Sequence, residues 1–262
     1  QCSPLALCFQ RPGTEHALEC AVCSVTLHRE FMTTFDIQML LTGQYHELLV
    51  AGLKMSLQYL LYAFVIALPL SLVVALCRLS PFKVLNWMGA TYVEVVRSIP
   101  LLAHMLFWYF GVPELLPESL KEALYNGPVE SICAVLALAV YTAAYMAEDI
   151  RSGIRAVPTV QTEAARALGL GYGSTMRLVI LPQALRLTVP PLISQTLNMW
   201  KGTSVATVIG ASEMMYQVGQ VESQSFRSFE AFAFASVAYL AVSLLITLTA
   251  SWFQHRYPVR TM

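Results

Sequence analysis

Charge is what this 262-residue sequence lacks: Asp, Glu, Lys and Arg make up only 12% of it, where soluble globular chains carry about a quarter. Sixteen basic residues match sixteen acidic ones, for a formal net charge of zero. That leaves no overall positive field to hold nucleic acid. A Gly-Lys step is missing too: Lys54, Lys83, Lys121 and Lys201 follow Leu53, Phe82, Leu120 and Trp200. A phosphate-binding loop needs glycine before its lysine so that backbone amides can close on the phosphates. ATP hydrolysis is therefore assigned to another polypeptide, and the chain is not read as an enzyme.

What is present is apolar residue, at 56% of the chain. An ordinary soluble enzyme, a disordered tail and a disulfide-built secreted scaffold all fit this composition poorly. Hydrocarbon cannot hydrogen-bond a peptide group, so spans are expected as helices of about 20 mostly apolar residues. Five such runs occur, near Ser56 to Cys77, Asn86 to Val112, Ile132 to Ile150, Leu187 to Ala211 and Phe229 to Phe253. The fold class is thus all-α and polytopic. Pro69, Pro100 and Pro190-Pro191 interrupt the runs, and each removes a backbone donor, so kinks are expected there.

Lys and Arg accumulate on the cytoplasmic side of membrane proteins. The loops after the first, third and fifth runs hold Arg78, Lys83, Arg151, Arg155, Arg166, Arg177, Arg186, Arg256 and Arg260, whereas the opposite loops are mainly acidic. Five crossings then place the amino terminus outside and the carboxyl terminus in the cytoplasm.

Residues 1–34 differ from the rest, with Cys2, Cys8, Cys20 and Cys23 beside His16 and His28. A single Cys-x-x-Cys without a second spaced pair is a weak zinc signal, and a disulfide is equally available outside the membrane. No metal ligand set is assigned. The remaining residues, 35–262, form one membrane domain.

The cytoplasmic connection of about 151–186 is too polar to lie in lipid. It reads as two short helices, Thr159 to Leu168 and Ser174 to Leu181, separated by a Gly-rich reversal after Gly169 and stopped at Pro182. Ala164 and Ala165 would let another surface approach closely. Glu163-Ala164-Ala165, then Gly169, then Val179, Leu181 and Pro182 resemble the EAA loop of ABC importer permeases. Ala144-Tyr145-Met146-Ala147-Glu148, the run from Tyr92 to Leu101, and Lys201-Gly202-Thr203-Ser204 are similar to the polar amino acid branch of that family. Val160 and Gly202 depart from it, at positions where glycine and an Asp or Asn are common.

The resemblance implies a permease subunit paired with a second, identical or paralogous permease. It further implies a cytoplasmic ATP-binding subunit gripping the loop and a periplasmic amino-acid-binding protein delivering solute. ATP and magnesium would belong to the ATPase, with no cofactor in this chain, and the location would be the bacterial inner membrane, among its lipids. Glu163, Ala164, Ala165, Gly169, Leu181 and Pro182 are then the coupling residues. Charged and polar residues inside spans mark pathways, so Arg97, His104, Asn198, Lys201, Thr203 and Ser204 are the candidates for the solute route. Glu94 and Arg97, three residues apart, could also form an internal ion pair. The run Trp108 to Glu118 looks like glutamate/aspartate permeases, which makes those solutes the expected cargo. An ion-gradient-driven secondary transporter and a non-transporting membrane signalling component are the alternatives. The first is often built from repeated halves, and no convincing internal repeat is seen here; the second needs no docking loop.

Overall fold

The computed structural model describes residues 42–257, and the cysteine-containing segment 1–34 lies outside them. Among the described residues every regular element is helical. In chain order these are α1 (Gln44–Leu79), α2 (Lys83–Ser98), α3 (Leu101–Leu115), α4 (Glu118–Tyr125), α5 (Val129–Arg155), α6 (Thr159–Ala167), α7 (Tyr172–Ile209), α8 (Met214–Ser225) and α9 (Ser228–Arg256). By length and composition α1, α5, α7 and α9 can each cross a bilayer, and α2 with α3 makes a fifth, broken crossing. The second apolar run is therefore no straight rod: its halves meet at 104°.

The proline expectations divide. Pro100 sits at the break, where Ile99 is extended and the His104 amide bonds the Pro100 carbonyl to start the next helix. Pro69 and the Pro190-Pro191 pair instead lie inside continuous helices. Pro182 was expected to stop a helix and does not: α7 runs through it. A π-helical stretch, Met176–Ile180, directly precedes Pro182, and a second one, Phe107–Gly111, precedes Pro113. The wider turn shifts the hydrogen-bond register, and a proline in the first α turn that follows has no bonded N–H to forfeit.

Helix α5 is the hub, packed on α1, α2, α3 and α7. Its buried face is rich in small residues, including Ala134, Ala137, Ala139, Ala143, Ala144 and Ala147. Lipid tails are as apolar as leucine, so membrane helices associate through close backbone approach, which small side chains permit. Tyr59, Ala63 and Ala67 of α1 complete this core with Met199 of α7.

The short helix α8 is pinned by a buried acid. Glu213 caps it by accepting from the Tyr216 amide at 3.0 Å. The same carboxylate accepts from Ser56 Oγ of α1 at 3.2 Å and from the Tyr239 hydroxyl of α9 at 3.1 Å. Three helices are thus tied at one point, which is why this charged residue can be fully buried.

Candidate coupling hairpin and solute cavity

Two sites emerge, one on a polar connection and one among the spans. The first is the hairpin between α5 and α7. Helix α6 ends in a Schellman turn: the Gly169 amide bonds the Arg166 carbonyl at 2.9 Å and the Leu170 amide bonds the Ala165 carbonyl at 3.1 Å. Gly169 has φ +82°, the left-handed region that a Cβ disfavours, so glycine is the natural residue at this position. Glu163, Ala164 and Gly169 are exposed, as are Leu181 and Pro182, whereas Ala165 is turned inward. Two residues missed by the sequence reading stand beside Gly169: Leu168 is 83% exposed and Tyr172 77%. Large apolar side chains this bare, on a polar hairpin, fit a surface that is covered in an assembly.

The hairpin is not slack. Val157, Ile180 and Ala184 are buried together at its base, with Ile154, Met176, Val179 and Leu187 around them. Gln183 Nε2 donates to the Val179 carbonyl at 3.0 Å and approaches Gln161 Oε1 at 3.5 Å. Gly153 permits the close crossing of α5 and α7, since a Cβ there would lie 2.1 Å from Thr188 Oγ1. A displacement of α6 would therefore be carried into both spans.

Above the hairpin, α5 bears an ion cluster. Glu148 Oε2 pairs with Arg78 Nη1 at 2.8 Å, and Glu148 Oε1 accepts from Arg151 Nε at 2.9 Å as well as from Arg151 Nη2. It ties the end of α1 to α5.

The second site is a cavity of about 400 Å³ lined by Leu101, Leu138, Tyr141, Thr142, Tyr145, Gln195, Asn198 and Met199. Tyr141 and Tyr145 lie four residues apart on one face of α5, with their hydroxyls 3.2 Å apart. Asn198 Nδ2 is 3.4 Å from Gln195 Oε1, and Gln195 Nε2 donates to Asp149 Oδ2 at 2.9 Å. The Arg97 guanidinium lies 4.9 Å from the centre of the Tyr145 ring, a cation–π distance. The alternative of an ion pair with Glu94 is not what forms; the break after Ser98 leaves Arg97 at the helix end, over α5.

Of the six residues expected on a solute route, Asn198 lines the cavity and Arg97 borders it. His104 is buried against the edge of Tyr141, 5.7 Å between ring centres. Lys201, Thr203 and Ser204 do not line it. Thr203 is buried with its hydroxyl on the Trp200 carbonyl, Ser204 bonds the Lys201 carbonyl, and Lys201 is exposed. Helix α7 turns 3₁₀ from Thr203 onward, which breaks the spacing that had grouped them with Asn198. At Gly202, where the family pattern has Asp or Asn, a Cβ would lie 3.0 Å from the side-chain ends of Leu101 and Leu138, two cavity-lining residues that would have to shift.

The family model described as "Binding-protein-dependent transport system inner membrane component" matches residues 67–259. The chain belongs to that family. It is 33% identical to the "Probable glutamine ABC transporter permease protein GlnM" of Bacillus subtilis (strain 168), covering 84% of this chain and 94% of that one. It is 30% identical to the "Glutamate/aspartate import permease protein GltJ" of Escherichia coli (strain K12), over 79% and 85%. A solved structure described as "Crystal structure of an amino acid ABC transporter with histidines" superposes with a TM-score of 0.75 at 32% identity, over 86% of this chain and all of that one. The chain is thus a multi-pass permease subunit of an amino acid ABC importer, in which the ATPase role lies with separate subunits.

Proposed function

We propose that this permease moves a polar α-amino acid inward through the cavity between α3, α5 and α7, driven by an ATPase that grips α6. The cavity carries the reading: about 400 Å³ lined by two tyrosines and two carboxamide side chains is a scale and chemistry suited to a small zwitterion. Arg97 beside Tyr145 supplies the cation for a solute carboxylate. Glutamate or aspartate is the cargo expected from the resemblance of the Trp108 to Glu118 run; of the two cations that could pair with an acidic side chain, Arg97 borders the cavity and Lys201 does not line it. The named relatives differ in solute, being a glutamine permease, a glutamate/aspartate permease and a transporter solved with histidines.

The partners follow from this role. A second permease, identical or paralogous, completes the pathway; a periplasmic binding protein delivers the solute; two ATPase subunits dock on the hairpins through Glu163, Ala164, Gly169 and the flanking Leu168 and Tyr172. ATP and magnesium sit on those subunits. The arginine-rich side of the membrane is cytoplasmic, which puts the carboxyl terminus there. ATP binding favours one conformation only by its differential affinity for the two, and the packed base of the hairpin transmits that difference to α5 and α7.

Reconstitution with the ATPase and binding protein in proteoliposomes tests the route. Asn198→Trp should fill the cavity and abolish uptake of labelled amino acid while the ATPase still copurifies. Unchanged uptake by that variant would place the pathway elsewhere.

A further inference from the structure

Helix α5 carries two adjacent acids whose surroundings are opposite. Glu148 faces α1, where two arginines neutralise it. Asp149, about 100° further round the helix, is on the same face as Tyr141 and Tyr145, at i+8 and i+4 from them. Its carboxylate receives Gln195 Nε2 at 2.9 Å. The cation acting on it is Arg97, which is already stacked on Tyr145 one helical turn away. Asp149 does not itself line the cavity; it stands one residue behind the wall that Gln195 and Asn198 form.

That contact fixes a direction. A carboxylate only accepts, so the amide nitrogen of Gln195 must turn toward Asp149, and a flipped amide would set oxygen against oxygen. Gln195 Oε1 is then committed to the other side, where Asn198 Nδ2 approaches it at 3.4 Å. Asn198 in turn keeps its Oδ1 without a donor from this pair. Both amides retain one further N–H, so hydrogen-bonding inventory alone does not decide what the wall favours. The negative charge behind it does, because a charge in a site of low effective dielectric acts over several ångströms.

Resting on the cavity reading above, we infer that Asp149 is a specificity-determining positioning residue: through Gln195 and Asn198 it biases the cavity toward solutes whose side chain donates, a carboxamide or a cation, and against a side-chain carboxylate. Arg97, over Tyr145 one helical turn along α5 from Asp149, then takes the carboxylate common to all amino acids. Together the two charges offer a cation to the solute carboxylate and an anion to a donating side chain.

Glutamine and glutamate are nearly isosteric, so the ratio of their affinities reads this bias while loss of folded protein cancels. The assembled transporter in nanodiscs is titrated with tritiated glutamine and, separately, tritiated glutamate. Wild type should prefer glutamine. Asp149→Asn should lower that preference about tenfold or more, and Asp149→Glu should retain most of it. Gln195→Leu, which cuts the relay and keeps the charge, should give an intermediate ratio, and it serves as the test if Asp149→Asn does not assemble. A wild-type preference for glutamate, or a ratio unmoved in both Asp149→Asn and Gln195→Leu, would overturn the inference and leave the cavity standing. Failure of wild type to bind both amino acids would sink the cavity reading along with it.

Discussion

Helices α5 and α9 are nearly the same length, 27 and 29 residues, and both pass as spans, yet 56% of the most apolar stretch of α5 is buried in the chain and only 11% of that of α9. Hydropathy therefore says that a helix enters the membrane and nothing of where it stands. The difference lies in side-chain size and polarity. Helix α5 buries alanines and carries Tyr141, Tyr145, Glu148 and Asp149 toward other helices, whereas α9 turns Leu240, Leu244 and Leu248, four residues apart, outward. Polar groups in a membrane must find partners, and the hub, packed on four helices, has more of them within reach than α9, whose Tyr239 reaches Glu213.

The largest expected effect follows from that burial. Among the described residues Glu148 is the ion partner of both Arg78 and Arg151. Glu148→Ala leaves both cations stranded and should cost about 3 kcal/mol, because removing one member of a largely buried pair leaves an uncompensated charge. The melting temperature of the purified complex reads it, and Glu148→Gln should recover only part of the loss. A shift within error would mean that water already screens the cluster.

Next is Gly153→Ala at the foot of α5. The new Cβ meets Thr188 Oγ1, itself bonded to the Ala184 carbonyl at 2.7 Å, so the helices must separate at an overpacking cost of about 1–3 kcal/mol. If Thr188 is the obstacle, Gly153→Ala combined with Thr188→Ala should be closer to wild type than Gly153→Ala alone. A double variant no better than the single one would put the clash with the backbone.

Gly169→Val costs less in stability, about 1–2 kcal/mol for a branched residue at positive φ, but more in function. Insertion should persist while ATP hydrolysis is uncoupled from uptake, measured side by side in proteoliposomes. Coupled uptake at the wild-type ratio would remove the hairpin from the mechanism. This site was legible in the sequence because its parts are close together in the chain: Glu163 to Gly169 spans under two helical turns, and a glycine after a short helix predicts its own conformation. The spans were legible for a similar reason. The cavity was not. Gln195 finds Asp149 46 residues away, Arg97 finds Tyr145 48 away, and Glu148 finds Arg78 across 70. Sequence proximity suggested Glu94 for Arg97 and grouped Lys201, Thr203 and Ser204 with Asn198; the break at Pro100 and the 3₁₀ end of α7 undid both.

The smallest effect is expected on α9. Leu244 is exposed within the single chain, so Leu244→Ala exchanges contacts with lipid tails for other contacts with lipid tails and should change stability by less than about 0.5 kcal/mol. Its neighbours Leu240 and Leu248 on the same stripe should behave alike. Thermal unfolding in nanodiscs, at two lipid-to-protein ratios, separates the two ways of failing. A loss of about 2 kcal/mol or more that is independent of dilution would mean that the stripe packs within the chain after all. A loss that appears only when permeases are dilute would mean that the stripe is covered by a second permease, and α9 would then be as much an interior helix as α5, its interior shared between two chains.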